Sequence, residues 1–470
     1  MTDSPTTPPI TGITGGVAGL AATYAAVRAL ADRFDATGDR LRARAADDAR
    51  VLTDPDLLES APLSPVTFAE AEARVLDATS GGQGVLEASV LYEADAVLVR
   101  ATVSAYQARD RLVADSFHTL DYAVARAASP SLLLLGLAAA PTWGLLPSST
   151  RRRLGDGLEQ WADEHPEVVQ HVIDGDGGLL DGLLAGAPAL PALLGLAPFH
   201  PGAADAASDL AGLYPAEGEP HVRRRHDLGV PLGDTPPDDL ADLIRHLDQT
   251  NALSPPDRPH DQGTIEVQTL QAPDGTLRHV VYLPGTDDLT TAPWHHDGDV
   301  RDLAADLHVI SGEHNAYADG IERAMEEAGI GPHDPVLLVG HSLGGIEASS
   351  LLAHGSGFDV THVVTAGSPV AGIHGYPAGT HVLSLENRGD VVPLLDGRDN
   401  ADSVAQVTVR FDDHESSIAG NHGLQHYVRG AEAVDASGDR SVREQLSSLR
   451  DHGFLGTRDS ATSQVFQISR

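Results

Sequence analysis

The stretch that decides the fold lies at residues 335–346 and consists of PVLLVGHSLGGI. It begins with a run of Val and Leu, which is typical of a buried strand in a parallel sheet. A Gly-x-Ser-x-Gly sequence centred on Ser342 follows, and residues 346–353 predict a helix. Strand, tight turn and helix in this order leave the Ser342 hydroxyl projecting above the sheet edge. Gly340 and Gly344 are then required, because a side chain at either position would collide where strand and helix nearly touch.

A serine placed in this way needs an acid and a base later in the chain. Its hydroxyl is a weak nucleophile until a base takes its proton, and the acid holds the base in the correct tautomer. After such a turn the chain order is serine, acid, histidine. We predict Asp390 as the acid, because its Gly-Asp-Val-Val-Pro loop follows a predicted strand at 380–385, and active-site residues gather at the carboxyl ends of such strands. Glu386, Asp396 and Asp399 are the alternatives.

The predicted base is His422. It lies in a Gly-Asn-His-Gly loop that opens a predicted helix, after a predicted strand at 405–411. His426, four residues later, is the alternative. Because the chain has 23 histidines, a single histidine carries little information, and we expect others such as His414 in solvated loops.

Two backbone N–H groups are needed to hold the negative oxygen that forms when a serine attacks a carbonyl group. One comes from the residue after the nucleophile, which is Leu343, and the other from the loop after an earlier strand. The predicted strand 280–283 ends in Pro284-Gly285-Thr286. We therefore predict Thr286 as the second donor, with its hydroxyl as an additional one.

The composition excludes several classes of function. The net charge is −37, and all 31 basic residues are Arg, so the surface repels phosphate backbones and nucleic-acid binding is not expected. Cysteine is absent, which rules out disulfides and thiolate metal sites. His295 and His296 stand near Asp297 and Asp299, but no third ligand at a typical spacing accompanies them. We expect neither a metal nor a cofactor.

Three regions are expected along the chain. Residues 1–127 predict an α-helical hairpin or bundle after a short polar tail, with small and apolar residues repeating at steps of three and four. In the second long helix this stripe runs through Val90 and Val97. Residues 128–237 contain apolar segments and a Pro- and Gly-rich linker. Residues 238–470 alternate strands and helices, so they predict an α/β catalytic domain with a mostly parallel sheet.

The apolar segments at 131–146 and 178–198 are interrupted by Pro or Asp and cannot span a bilayer as clean helices. One interpretation is buried helices with solvated Arg flanks. The other is a mobile apolar cover, or a face in peripheral contact with a membrane, beside the catalytic serine. The N-terminus lacks the charged start and apolar core of a secretory signal.

The chain from about 264 to 430 resembles class 3 (fungal-type) lipases and related bacterial α/β-hydrolases. The matching pieces, in the family's order, are Leu-Pro-Gly-Thr at 283–286, Gly-His-Ser-Leu-Gly-Gly at 340–345, Ala-Gly-Ser-Pro at 366–369, Asp-Val-Val-Pro at 390–393 and His422 five residues before Tyr427. The resemblance implies an α/β-hydrolase fold, a Ser342–Asp390–His422 triad and hydrolysis of carboxylic esters, lipids in particular.

The first hundred residues resemble, in length, Ala-rich helices and Gly-rich connections, the helical-hairpin proteins carried by type VII secretion in actinobacteria. They lack the Trp-x-Gly turn of the best-known branch. The resemblance implies a secretion partner for the N-terminal helices. The expected function is therefore a serine ester hydrolase, cytoplasmic or exported by a type VII-like route. The alternatives are a type VII-secreted effector with the same chemistry and a non-catalytic binding protein of the same fold.

Overall fold

The computed structural model describes residues 7–110, 200, 202–215, 218–255, 258–287, 298–415, 418–457 and 459–470. These residues form two compact units. One runs from Leu20 through residue 110, and the other contains the chain up to Gly19 and from residue 200 onward. The apolar segments 131–146 and 178–198, and the residues His295, His296 and Asp297, lie outside the described part of the chain.

The first unit is helical, with α1 (Leu20–Ala49), α2 (Pro55–Ser60), α3 (Pro65–Ser80) and α4, which covers residues 85–110. A Cβ at Gly38 of α1 would lie 3.1 Å from the carbonyl oxygen of Ser89 on α4, so the two helices approach closely at small residues.

The buried face of α4 differs from the predicted one. It carries Ser89, Ala96 and Val103, whereas Val90 and Val97 of the predicted stripe are 56% and 64% exposed. That prediction was wrong by one position, because the backbones of α1 and α4 approach each other closely at Gly38 and Ser89, which places the row of Ser89 rather than that of Val90 in the contact.

The second unit is built on a nine-stranded mixed sheet in the order β1-β8-β7-β6-β5-β4-β3-β9-β2. The strands are β1 (Ile10–Gly15), β2 (His221–Arg224), β3 (Thr264–Gln271), β4 (Leu277–Leu283), β5 (Pro335–His341), β6 (Asp359–Ala366), β7 (His381–Asn387), β8 (Gln406–Phe411) and β9 (Ser460–Ser469). The five central strands, β4 to β8, are parallel, and the pairs on both sides of them are antiparallel. The expected parallel arrangement is therefore found only in the central strands of the sheet.

Helices cover both faces of this sheet. They are α5 (Ala203–Ala211), α6 (Leu240–Asn251), α7 (Leu303–Ile310), α8 (Ala316–Ala328), α9 (Leu343–His354), α10 (Ile418–Asn421), α11 (Leu424–Asp435) and α12 (Arg440–Asp451). Successive residues of β5 point to opposite faces, so Leu337 packs in the core under α6 and α11 while Leu338 packs in the core under α8 and α9. Among the described residues, no helix is both long and apolar enough to cross a membrane.

The outer strands lie where the sequence predicted none. Ile10–Gly15 was expected to be the end of a polar tail and the start of the helical region, but it pairs antiparallel with β8, Ile10 opposite Phe411. β2 lies within the predicted linker, and β9 occupies the C-terminal residues. Edge strands are short and half solvated, so their sequences carry little periodic signal, and the partner of β1 lies some four hundred residues away.

Candidate active site

Ser342 occupies a strained turn between β5 and α9. Its φ of 51° and ψ of −123° lie outside the regions that ordinary side chains prefer. Only Ser342 and His414 have positive φ among the described non-glycine residues. A Cβ at Gly340 would lie 2.3 Å from the carbonyl oxygen of Gly344, and one at Gly344 would lie 2.0 Å from that of Leu283. Both glycines are therefore required by the turn, for the reason expected from the sequence.

The structure brings Asp390 and His422 together. Nδ1 of His422 lies 2.7 Å from Oδ2 of Asp390, and the Asp390 side chain is fully buried while that of His422 is 24% exposed. With Nδ1–H donated to the carboxylate, Nε2 carries the lone pair. His422 and Ser342 line the same cavity. The described hydrogen bonds include none between these two side chains, and catalytic hydrogen bonds often close only when substrate is bound.

Asp390 is held by three donors. Besides His422, the hydroxyl of Tyr427 donates to Oδ2 at 2.6 Å and the N–H of Val392 donates to Oδ1 at 2.9 Å. Burial, and then the neighbouring Asp390 carboxylate, raise the pKa of Tyr427 well above its ordinary value, so the phenol stays protonated and remains a donor. These bonds stabilise an ionised carboxylate out of water.

The competing acids have other partners. Glu386 is ion-paired with Arg410 at 2.8 Å, as is Asp399 with the same guanidinium. Asp396 accepts the backbone N–H groups of Ala371 and Gly372. Each is therefore committed to holding a neighbouring strand or loop.

The competing histidines also lie elsewhere. His426 is buried against Asp413 and Arg429, and the side chain of His414 is 74% exposed. Neither lines the cavity that contains Ser342.

The loop carrying Thr286 packs directly against Ser342, since a Cβ at Gly285 would lie 2.8 Å from Cβ of Ser342. Leu343 is the first residue of α9, so its N–H has no acceptor within the helix. The Thr286 hydroxyl lies 2.9 Å and 3.1 Å from the two carboxyl oxygens of Asp306. Burial raises the pKa of Asp306 to about 7, although the Thr286 hydroxyl acts in the opposite direction. The residues predicted to supply the two N–H donors, Thr286 and Leu343, thus lie at the serine, but the Thr286 hydroxyl, expected as an additional donor, donates to Asp306 instead.

A buried arginine that the sequence analysis missed supports this loop. Arg301 is fully buried, and its guanidinium donates to the carbonyl oxygen of Gly285 at 3.0 Å and pairs with Asp287 at 2.5 Å. Asp287 in turn accepts the N–H of Gly263 at 2.8 Å. In sequence, Arg301 looks like any surface Arg in an Asp-rich stretch, so no local signal identified it.

His341, the residue directly before Ser342, holds the loop that carries His422. Its Nε2 lies 2.9 Å from the carbonyl oxygen of His422, and the two rings lie 4.4 Å apart. Burial, and secondly the nearby His422, lower the pKa of His341 well below its ordinary value. A neutral His341 therefore donates its Nε2–H to that carbonyl and holds the loop of the predicted base.

Ser342, His422 and Thr286 open onto a cavity of about 490 Å³ with mostly aliphatic walls. This volume lies in the range of roughly 300–1,000 Å³ typical of small-molecule sites. A larger cavity of about 680 Å³ lies at the edge formed by β2 and β9 and contains none of these residues. We assign the candidate site to the smaller cavity, because the predicted nucleophile Ser342 and the predicted base His422 both line it.

The donor set of this cavity does not suit a metal. Within the described ranges, no group of three or more His, Asp or Glu side chains is arranged to hold a metal ion. Asp299, which stands near His295 and His296 in the sequence, accepts the backbone N–H of Arg301 at 3.0 Å, and burial raises its pKa to about 7.

Comparisons of the chain with protein families, curated proteins and solved structures found no match.

Proposed function

We propose that this chain is a serine hydrolase that cleaves carboxylic esters through an acyl-enzyme on Ser342. One observation carries the proposal: a strained serine shares a cavity with a histidine whose other nitrogen is bonded to a buried carboxylate. The three residues come from three separate loops and are of the types that nucleophilic catalysis requires. A turn that only connects a strand to a helix has no need of the buried Asp390–His422 pair.

The proposal includes an α/β-hydrolase fold for the unit that contains the sheet. In support, Ser342 follows β5, Asp390 follows β7 and His422 follows β8, which is the chain order of such enzymes. The Thr286 loop follows β4, the strand next to β5. All four groups lie beyond the carboxyl ends of parallel strands, where ligands bind in open α/β sheets.

In the first half of the reaction, Oγ of Ser342 attacks the ester carbonyl carbon while Nε2 of His422 takes the hydroxyl proton. The N–H groups of Thr286 and Leu343 hold the oxyanion, and removal of one such donor typically costs about 2.7–4 kcal/mol of transition-state stabilisation. The carbon–oxygen bond to the alcohol then breaks, and His422 returns the proton to the leaving oxygen.

In the second half, water loses a proton to His422 and attacks the acyl carbon. The acid leaves and Ser342 regains its proton, so the protein is unchanged at the end. Asp390 stays ionised throughout and stabilises the imidazolium that forms twice. Tyr427 and Val392 keep that carboxylate in place.

The aliphatic walls support an ester with an apolar acyl group, such as a lipid, as the substrate. Most of the lining side chains are aliphatic, and the polar ones are Asn251, Thr286, Asp306, His341, Ser342 and His422. A polar substrate would leave its hydrogen-bonding groups unsatisfied against those walls.

Labelling by a fluorophosphonate tests the proposal directly, because only an activated serine reacts. We expect the full chain to be labelled and to hydrolyse short nitrophenyl esters, and Ser342→Ala to lose both properties. Asp390→Asn should lower kcat by about 10⁴, the scale seen when the acid of a serine triad is lost.

Ser350→Ala is the matched control. Ser350 lies on the same helix, where its hydroxyl bonds to His354 at 3.1 Å near the surface, and its loss should change neither labelling nor turnover. Absence of labelling in correctly folded wild-type protein would contradict the proposal and favour a non-catalytic binding protein.

A further inference from the structure

One wall of the cavity comes from a helix that precedes the α/β region in sequence. Ala206, Ala207 and Leu210 of α5 line the cavity beside Ser342. Their spacing of one, three and four residues places them on one face of the helix. Ala206 and Ala207 are 9% and 5% exposed. With Ala203, which also lines the cavity, the face of α5 that meets the site thus consists of three very small side chains and one large one.

α5 is held in place by contacts that do not involve the cavity. It packs on α7, and the hydroxyl of Ser208 donates to Glu313, beyond the end of α7, at 2.8 Å. In the same turn as Ser208, Asp209 lies 2.8 Å from His200. At the other end of α5, Asp205 caps the first turn by accepting the N–H of Gly202 at 3.1 Å. The position of Ala206 and Ala207 relative to α7 is therefore set by the fold.

α7 supplies the facing wall. Leu303, Leu307 and Ile310 line the same cavity at a spacing of three and four residues. Asp306, on the same helix, is bonded to the Thr286 hydroxyl. The part of the cavity that α5 and α7 line, called the slot between α5 and α7 below, is therefore mostly aliphatic, and Asp306 connects it to the loop that carries Thr286.

We propose that the slot between α5 and α7 holds the acyl chain of the substrate, and that Ala206 and Ala207 determine how long a chain enters. This inference rests on the proposed ester hydrolysis. An ester whose carbonyl oxygen is bound by the N–H of Thr286 has its acyl carbon next to α7. The acyl chain also stays bonded to Ser342 after the alcohol has left, so contacts in the slot assist both halves of the reaction.

The size of the two alanines has a measurable consequence. Each methylene moved from water into an apolar site contributes about 0.8 kcal/mol, which is about fourfold in kcat/KM. We expect kcat/KM to rise by about this factor for each added methylene until the slot is full, and then to level off. A larger side chain at position 207 should move the end of the rise to shorter acyl chains.

The test uses nitrophenyl esters of increasing acyl length, each below the concentration at which it aggregates. Relative to its own rate on the acetyl ester, Ala207→Phe should lose the gain on longer chains, about fourfold for each methylene displaced. Ala207→Val should give a smaller shift, so the comparison survives if the Phe variant does not fold. Ala204→Phe is the matched control, since Ala204 is exposed on the same helix and should leave the profile unchanged.

A second ester series, with constant acetyl groups and alcohols of increasing length, separates the two halves of the substrate. Ala207→Phe should not alter that series. If Ala207→Phe instead shortens the rise of kcat/KM with alcohol length and leaves the rise with acyl length unchanged, the slot binds the alcohol and the inference is overturned. An unchanged acyl profile in active Ala207→Phe would also overturn it while leaving ester hydrolysis intact. If the wild-type chain hydrolyses no ester, the proposed function fails, and the inference fails with it.

Discussion

Replacing Tyr427 by Phe removes one oxygen atom that supports the Asp390 carboxylate, the proposed acid of the triad. Tyr427 is fully buried, and its hydroxyl donates to Oδ2 of Asp390 at 2.6 Å and accepts the N–H of Asn387 at 3.3 Å. The variant keeps the ring, and with it the edge contact to Phe411 at 5.6 Å between ring centroids. The loss is therefore confined to one hydrogen bond to a buried, ionised group and one to a backbone N–H.

The expected size follows from the charge of the acceptor. A hydrogen bond to a charged group contributes about 1.5–3 kcal/mol to the free energy of unfolding, against about 0.5–1.5 kcal/mol for a neutral pair. We expect Tyr427→Phe to lower the free energy of unfolding by about 2–3 kcal/mol near neutral pH. Since Asp390 keeps His422 and Val392 as donors, catalysis should weaken but persist, with kcat/KM lower by about 3- to 10-fold, or about 1 kcal/mol.

Tyr282→Phe is the matched control for both measurements. Tyr282 is also fully buried, but its hydroxyl donates to the neutral amide oxygen of Gln268 at 3.2 Å, and it does not line the site. Urea denaturation should show a loss of about 1 kcal/mol for this variant, with unchanged kcat/KM. If Tyr427→Phe loses no more stability than Tyr282→Phe and keeps full activity, the Tyr427 hydroxyl does not hold the Asp390 carboxylate in the way proposed.

Three further outcomes are expected. Gly344→Ala should abolish activity and destabilise the fold, since the added Cβ would meet the Leu283 carbonyl oxygen at 2.0 Å. Gly357→Ala is the control and should be tolerated, because a Cβ there has nothing within 4 Å. An active Gly344→Ala protein would contradict the turn geometry. Burial, and then its histidine neighbours, lower the pKa of His362 to about 3. Because the unfolded chain therefore binds this proton at a higher pH than the folded chain, the free energy of unfolding of wild type relative to His362→Gln should fall as the pH drops below about 6.5, by about 2 kcal/mol at about pH 5. A difference between the two proteins that does not change with pH would refute this. Finally, the net charge of −37 should destabilise the folded chain through repulsion between like charges. Its melting temperature should therefore rise between about 0.1 M and 1 M NaCl, as the screening length shortens from about 10 Å to about 3 Å. A melting temperature that falls or stays constant would count against this repulsion.

The centre of the fold could be predicted from sequence because its information is local. The Val- and Leu-rich run before Ser342, the two glycines of the turn and the apolar residues after it each require a particular backbone within a dozen residues, and the structure shows β5, the strained turn and α9 there. The hairpin of β3 and β4 is local in the same sense. The chain order of Ser342, Asp390 and His422 could likewise be predicted from the sequence, because each residue follows a predicted strand.

The choice of partners belonged to the tertiary structure. Asp390 and Glu386 stand four residues apart with the same chemistry, and only the packed chain shows that Arg410 neutralises Glu386 while His422 meets Asp390. The sequence contains no local sign that Arg301 would hold the Thr286 loop.

The same limit applies to whole elements. Ile10–Gly15 becomes an edge strand only by pairing with β8, and the wall made by α5 exists only because that helix packs on α7. A periodic pattern indicates that one side of an element is buried, although for α4 it placed that side one residue away. Which side chain meets which depends on contacts between residues far apart in the chain, and those form only when the whole sheet and its helices are in place.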